Sequence, residues 1–154
     1  MRKITLVIAA LSIILTSCDQ QVAKEETQVK DTTMVAARDG VFYHISSGMD
    51  NPHKVVMALK MANLMAEDKD VLVYFDIKGI EVVLNDAEDI SYPTFPTASE
   101  SLEKLLDRGI AVYACPSCLE AAGKSEADLR PGIKSANKEA FFSFTQSRII
   151  TLDY

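Results

Sequence analysis

The chain has 154 residues, 48% of them apolar and 25% charged, a balance that predicts one globular domain and excludes a fibrous or wholly disordered chain. Its net charge of −6, with no cluster of Lys and Arg, excludes nucleic acid and anionic lipid surfaces as main partners, because both require grouped cations.

The first residues, "MRKITLVIAALSIILTSC", begin with Arg2 and Lys3, continue as an apolar run from Ile4 to Leu15 and end in small residues before Cys18. This is the order of a secretory signal peptide over residues 1–17, and the run is shorter than the roughly 20 residues a bilayer span needs. Leu15-Thr16-Ser17-Cys18 resembles the bacterial lipobox, in which the Cys is acylated and becomes the new N-terminus. Several acyl chains at Cys18 would anchor the protein firmly, where one gives only marginal binding. An ordinary signal peptide followed by an incidental Cys is the plainer alternative. The expectation is a membrane-anchored lipoprotein on the periplasmic or extracytoplasmic face. Cleavage removes two basic and no acidic residues, so the net charge moves from −6 to −8.

Lipidated Cys18 and the polar residues after it, 18–39, read as a flexible tether, and residues 40–154 as the domain. "VFYHIS" (41–46) predicts a strand, and "SGMDNP" predicts a turn in which Asp50 or Asn51 caps a helix with Pro52 in its first turn. In that helix Val55, Val56, Leu59, Met61, Ala62, Met65 and Ala66 recur at helical spacing, a face packed on a sheet. "VLVYF" (71–75) is apolar enough for a strand buried on both faces, and "IEVVL" (80–84) predicts another. Residues 85–98, with two prolines, predict a long loop. Ser99 and Ser101 are the expected caps of a helix that carries Leu102, Leu105 and Leu106 on one face and stops at Gly109.

"IAVYA" (110–114) predicts a strand, followed by a short helix that ends at Gly123 and a capping-box turn from Ser125 to Asp128. A helix over 137–146 and a last strand over 148–154 complete the order. Alternating strands and helices predict an α/β domain with a mostly parallel sheet covered on both faces.

"YACPSCLEAAG" (113–123) places Cys115 and Cys118 where a strand gives way to a helix. A zinc site needs four ligands and this pair supplies two; His44 and His53 are distant and lack ligand spacing, so no metal is expected. His44 on a strand reads as a packed or hydrogen-bonded residue. A structural disulfide suits an oxidising compartment, but its loop is too small to constrain the unfolded chain much. A reactive thiol site is the third reading, since a Cys at a strand's carboxyl end leading into a helix meets unpaired amides that favour thiolate. Pro116 removes one N–H from that first turn.

From Val41 onward the chain resembles the DsrE/DsrF-like sulfur-relay family, most closely its YchN-like branch. The residues that carry the resemblance are "ISSG", the "DNP" turn, "VLVYF", "GIEVVL", "LLDRGIAVYACPSCLEAAG" and "LRPGI", in that order. It implies a three-layer α/β/α Rossmann-like domain with a five-stranded sheet, assembled as a homo-oligomer (trimer or hexamer). It also implies a persulfide-accepting Cys eight residues before a glycine, which falls on Cys115 relative to Gly123, with Pro116, Ser117 and Gly123 supporting the loop. Cys118 is the expected resolving thiol by thiol exchange. The partners implied are a sulfur donor or acceptor protein, and no cofactor is expected. Ala122 stands where many members carry Arg, and a lipoprotein signal departs from the cytoplasmic relay serving transfer-RNA thiolation. A non-enzymatic binding module with a structural disulfide, or a thiol-disulfide redox protein, are the alternative readings.

Overall fold

A computed structural model describes residues 37–154. The segment read as a signal peptide, Cys18 and most of the expected tether lie outside the described residues.

Five strands form one sheet: β1 (Gly40–Ile45), β2 (Asp70–Phe75), β3 (Ala111–Ala114), β4 (Lys134–Ser135) and β5 (Ile149–Asp153). Their spatial order is β4-β3-β2-β1-β5, and every pairing is parallel. Side chains alternate between faces. Val41, Tyr43, Ile45, Val71, Val73, Phe75, Val112 and Ala114 are buried on one face beneath α1 (Pro52–Met65) and α2 (Ala98–Asp107), joined there by Val55, Val56, Leu59, Leu102 and Leu105. The other face carries Phe42, His44 and Tyr74, with Phe141 of α4 (Ala140–Ser143) edge-on to Phe42 and Tyr74 at ring-centroid distances of 5.4 and 5.0 Å. Helices thus flank both faces, unequally; Phe142 on α4 is 69% exposed.

The helix over 52–65 starts as expected: Asn51 caps it by accepting from the Lys54 amide, and Pro52 occupies the first turn. Its predicted apolar face is the buried one, with Met61 and Met65 packed at the margin of the core. The next cap differs from the expectation. Thr97, not Ser99 or Ser101, caps α2, through a reciprocal box with Glu100, and Ser101 is a buried residue inside the helix. Gly109 stops the segment with φ +72°.

Residues 80–84 are not a strand. They continue a 3-10 turn over Ile77–Val82, and Leu84 makes only an isolated antiparallel bridge to Leu129. Topology explains this: "DIKG" is far too short for a parallel crossover, and an antiparallel hairpin onto β2 has no free edge, since β1 and β3 occupy both. Ile80, Val82, Val83 and Leu84 are nonetheless buried, so the apolar run reports core rather than ladder. The fifth strand is the two-residue β4 instead. The helix over 137–146 is likewise shortened, to Ala140–Ser143. Thr145 turns its hydroxyl to the Arg38 carbonyl (2.6 Å) and accepts from the Ser147 amide (3.2 Å), local bonds that compete with helix and swing the chain into β5.

The loop over 85–97 is tied down at several points. Ile90 is buried, Asp89 accepts from the Ser99 amide at 2.9 Å, and Tyr92 stacks on His53 of α1 at 4.2 Å between centroids. No described helix is long and apolar enough to cross a membrane.

Candidate functional site

Cys115 continues the β3 ladder, its amide donating to the Phe75 carbonyl at 2.8 Å, and then caps α3 (Pro116–Ala121). Its Sγ takes the place a Ser or Asp oxygen usually occupies, accepting from the Cys118 amide at 3.2 Å. Pro116 at the first helical position has no N–H to orphan. The segment ends at Gly123, φ +67°, where the Lys124 amide reaches back to the Leu119 carbonyl at 2.8 Å. A Cβ on Gly123 would meet nothing within 4 Å, so the glycine is required by its left-handed backbone and not by crowding.

Cys118 lies one turn further on, and its Sγ accepts from the Ile77 amide at 3.3 Å. That amide is presented by an unusual residue: Ile77 is a β-branched side chain at φ +46°, 64% exposed. The 3-10 turn it begins is seated against β1 by Gly79, whose hypothetical Cβ would lie 2.1 Å from the Ile45 carbonyl oxygen. Both thiols are free and half-buried.

The two sulfurs differ electrostatically. Burial works against the Cys115 thiolate, but the Cys118 thiol, the Tyr74 hydroxyl and the amides of Cys118 and Ser117 outweigh it, so its pKa is lowered. Burial raises that of Cys118, and the neighbouring Cys115 and the Asp76 charge add to the rise against the Ile77 amide. One sulfur is disposed to ionise and the other to keep its proton.

Behind the pair lies a cluster drawn from three places in the chain. His44 near the end of β1 places Nδ1 2.8 Å from Asp153 of β5 and Nε2 2.8 Å from Asp76 just after β2. The Ser46 hydroxyl donates to the other Asp76 oxygen at 2.6 Å. The His44 ring stacks on Tyr74, 5.8 Å between centroids at 25°. Of these residues only His44 stands out in the sequence, as a packed or hydrogen-bonded strand residue, and it is hydrogen-bonded. Tyr74, Asp76, Ser46 and Asp153 carried no local signal.

Beside Cys118 runs an open trough of about 470 Å³, lined by Ile77, Ile80, Leu84, Ala121 and Ala122, with Lys78 and Glu81 also along it. Ala122 therefore presents a methyl group to the trough. Lys124 pairs with Asp86 at 3.1 Å. A separate hollow of about 320 Å³ lies between α1 and α2, around Asn63 and Ser101, and contains neither cysteine. Among the described residues no group of three or more His, Cys, Asp or Glu is arranged to hold a metal ion.

Residues 39–151 match the sequence model of the DsrE/DsrF-like family. An uncharacterized protein of Methanocaldococcus jannaschii is 20% identical over 123 residues, 79% of this chain, and the match spans 45% of that protein's length. Among solved structures, the ychN protein from E. coli is similar with a TM-score of 0.58 and 16% identity, covering 75% of this chain and 99% of that one. That likeness shows the parallel α/β fold. A protein of unknown function from Methanobacterium thermoautotrophicum has a TM-score of 0.49 at 18% identity, covering 75% of this chain and 99% of that one.

Proposed function

The chain belongs to the DsrE/DsrF-like family, a sulfur-relay family, and on that premise we propose that it carries sulfur as a persulfide on Cys115, with Cys118 as the resolving thiol. The observation that carries the reading is the asymmetry of the pair. Cys115 receives the amide of Cys118 and is shifted toward thiolate, while Cys118 is shifted toward thiol. The thiolate is the nucleophile, so loading begins at Cys115 and the protonated partner waits.

In the loading step the Cys115 thiolate attacks the terminal sulfur of a donor persulfide. A sulfur–sulfur bond forms at Cys115, and the donor's own sulfur–sulfur bond breaks to release it as a thiolate. Transfer to an acceptor thiolate repeats the exchange with Cys115 as leaving group. When no acceptor is bound, Cys118 as thiolate attacks Cys115 Sγ, forming the Cys115–Cys118 disulfide and expelling hydrosulfide. The carried sulfur is then reduced by two electrons and the two thiols are oxidised by the same two. An external dithiol returns the site to its starting state.

The same proposal places the domain outside the cytoplasm, held by acyl chains on Cys18, supported by the order of charge, apolar run and small residues before that Cys. Intact-mass spectrometry of membrane-extracted protein, before and after incubation with a persulfide donor, tests both parts. One added sulfur is expected to be retained in Cys118→Ser and absent from Cys115→Ser, while in the wild type the adduct gives way to a chain two hydrogens lighter, the Cys115–Cys118 disulfide. No adduct in any variant refutes the carrier reading, and a mature chain without acyl groups on Cys18 refutes the anchoring.

A further inference from the structure

The strand order reverses at β1, which has β2 on one side and β5 on the other, and the helices following β1 and preceding β5 lie on opposite faces of the sheet. In open α/β sheets ligands bind at the carboxyl ends of strands at such a point. The His44 cluster occupies this place: His44 and Asp153 are register partners at the ends of β1 and β5, and Asp76 follows β2. Two members of the cluster reach the thiol site, Tyr74 through its hydroxyl and Asp76 through the adjoining Ile77 amide.

Both ring nitrogens of His44 face carboxylate oxygens at 2.8 Å. Ionised carboxylates only accept, so this geometry is fully satisfied when both nitrogens donate, as in an imidazolium. Its face lies on Tyr74 within cation–π range, and the Tyr74 hydroxyl supports the Cys115 thiolate. On the other side Asp76 leads directly into Ile77, whose amide holds Cys118 Sγ. The ring therefore touches Tyr74 and Asp76, the residue that precedes Ile77, and a positive charge on it opposes that of Asp76.

We propose that His44 is a positioning residue of the thiol site: clamped as a cation between Asp153 and Asp76, it fixes the Asp76–Ile77 turn beside Cys118 and offsets the Asp76 charge that bears on Cys118 and on Tyr74, whose hydroxyl supports the Cys115 thiolate. The inference rests on Cys115 being the reactive thiol. The groups facing His44 are Asp153 from β5, Asp76 and Tyr74 from the β2 segment, and Ser46 from its own strand end. The direction of its titration agrees: burial disfavours the charged ring, but Asp76 and Asp153 overcome this and raise its pKa above 6.5.

The test is alkylation of the full chain by iodoacetamide, with each cysteine followed by peptide mass spectrometry from pH 5 to pH 9. In His44→Gln the Cys115 midpoint moves upward and its rate at pH 7 falls about three- to tenfold, the loss of thiolate that follows a rise of half to one pH unit. Adding Asp76→Asn to that variant removes the uncompensated charge and restores the rate. An unchanged rate in His44→Gln, or a loss that Asp76→Asn does not restore, overturns the proposal. Nitrogen NMR of the wild type supplies a readout independent of the variants' folding: His44 is more than half protonated at pH 6.5, and a neutral ring there overturns the clamp. If the alkylation pattern appears but Cys115 never acquires sulfur from a persulfide donor, the carrier reading fails while the positioning role stands.

Discussion

Gly79→Ala is the substitution on which the site's architecture most directly bears. The added Cβ would sit 2.1 Å from the Ile45 carbonyl oxygen, 3.1 Å from its carbon and 3.3 Å from Phe75 Cδ1. Ordinary carbon contacts are about 3.5–4.0 Å, so turn and strand must separate by about 1 Å or more. The strand resists, because the same Ile45 oxygen accepts from the Asp76 amide at 3.2 Å and Ile45 is fully buried. Overpacking of this kind costs about 1–3 kcal/mol, offset by about 0.4–1 kcal/mol from the stiffer unfolded chain. Taking a net loss of about 1–2 kcal/mol and an unfolding entropy of about 0.25 kcal/mol/K for a domain of roughly 120 residues, Tm falls by about 4–8 °C. Thermal melts by circular dichroism measure it. The displaced turn also draws the Ile77 amide from Cys118 Sγ, so Cys118 is alkylated more slowly at pH 8 than in the wild type. A Tm within about 1 °C of wild type, with unchanged Cys118 reactivity, would refute the reasoning that Gly79 seats the turn.

Two further outcomes are expected. Ile77→Gly relieves a left-handed β-branched residue, worth about 1–2 kcal/mol, against about 0.5–1 kcal/mol of added chain entropy, and loses little burial; Tm is unchanged or rises by a few degrees, and a clear fall contradicts the strain assigned to Ile77. Because the folded state raises the pKa of His44, its stabilising contribution is complete below pH 6.5 and is lost as pH rises through the folded value. Urea denaturation midpoints across that range should therefore decline with pH in the wild type more than in His44→Gln, and parallel curves would exclude the linkage.

What the sequence disclosed was what is local. The cysteine pair, its proline and Gly123 lie within nine residues, and a strand-to-helix transition there follows from an apolar run meeting Pro116. The strands over 40–45, 70–75 and 149–153 read correctly because β-branched and aromatic residues dominate them. "IEVVL" has the same composition and is no strand, since composition records burial, while the short link and the occupied edges of β2 exclude pairing. Thr97 and Glu100 did carry a capping-box signal, masked by the serines that follow. Lys134 and Ser135 carried none, because two residues joining a sheet edge need no pattern of their own. Nor could the His44 cluster be read: its partners lie 32 and 109 positions away, and only the strand order makes them neighbours.

That strand order has a consequence for how the protein is made. β1 pairs with β2 only 30 positions later, but its other edge waits for β5, about a hundred residues downstream. As the chain emerges N-terminus first on the side of the membrane where it folds, β1, α1, β2, α2 and β3 can assemble, and the cysteine loop with them, before β5 arrives. Until then the far side of β1 presents a row of unpaired backbone groups, a template for pairing with another chain. His44 meanwhile has Asp76 but lacks Asp153. Docking of the last strand thus seals the aggregation-prone edge and completes the clamp on the imidazolium in a single event.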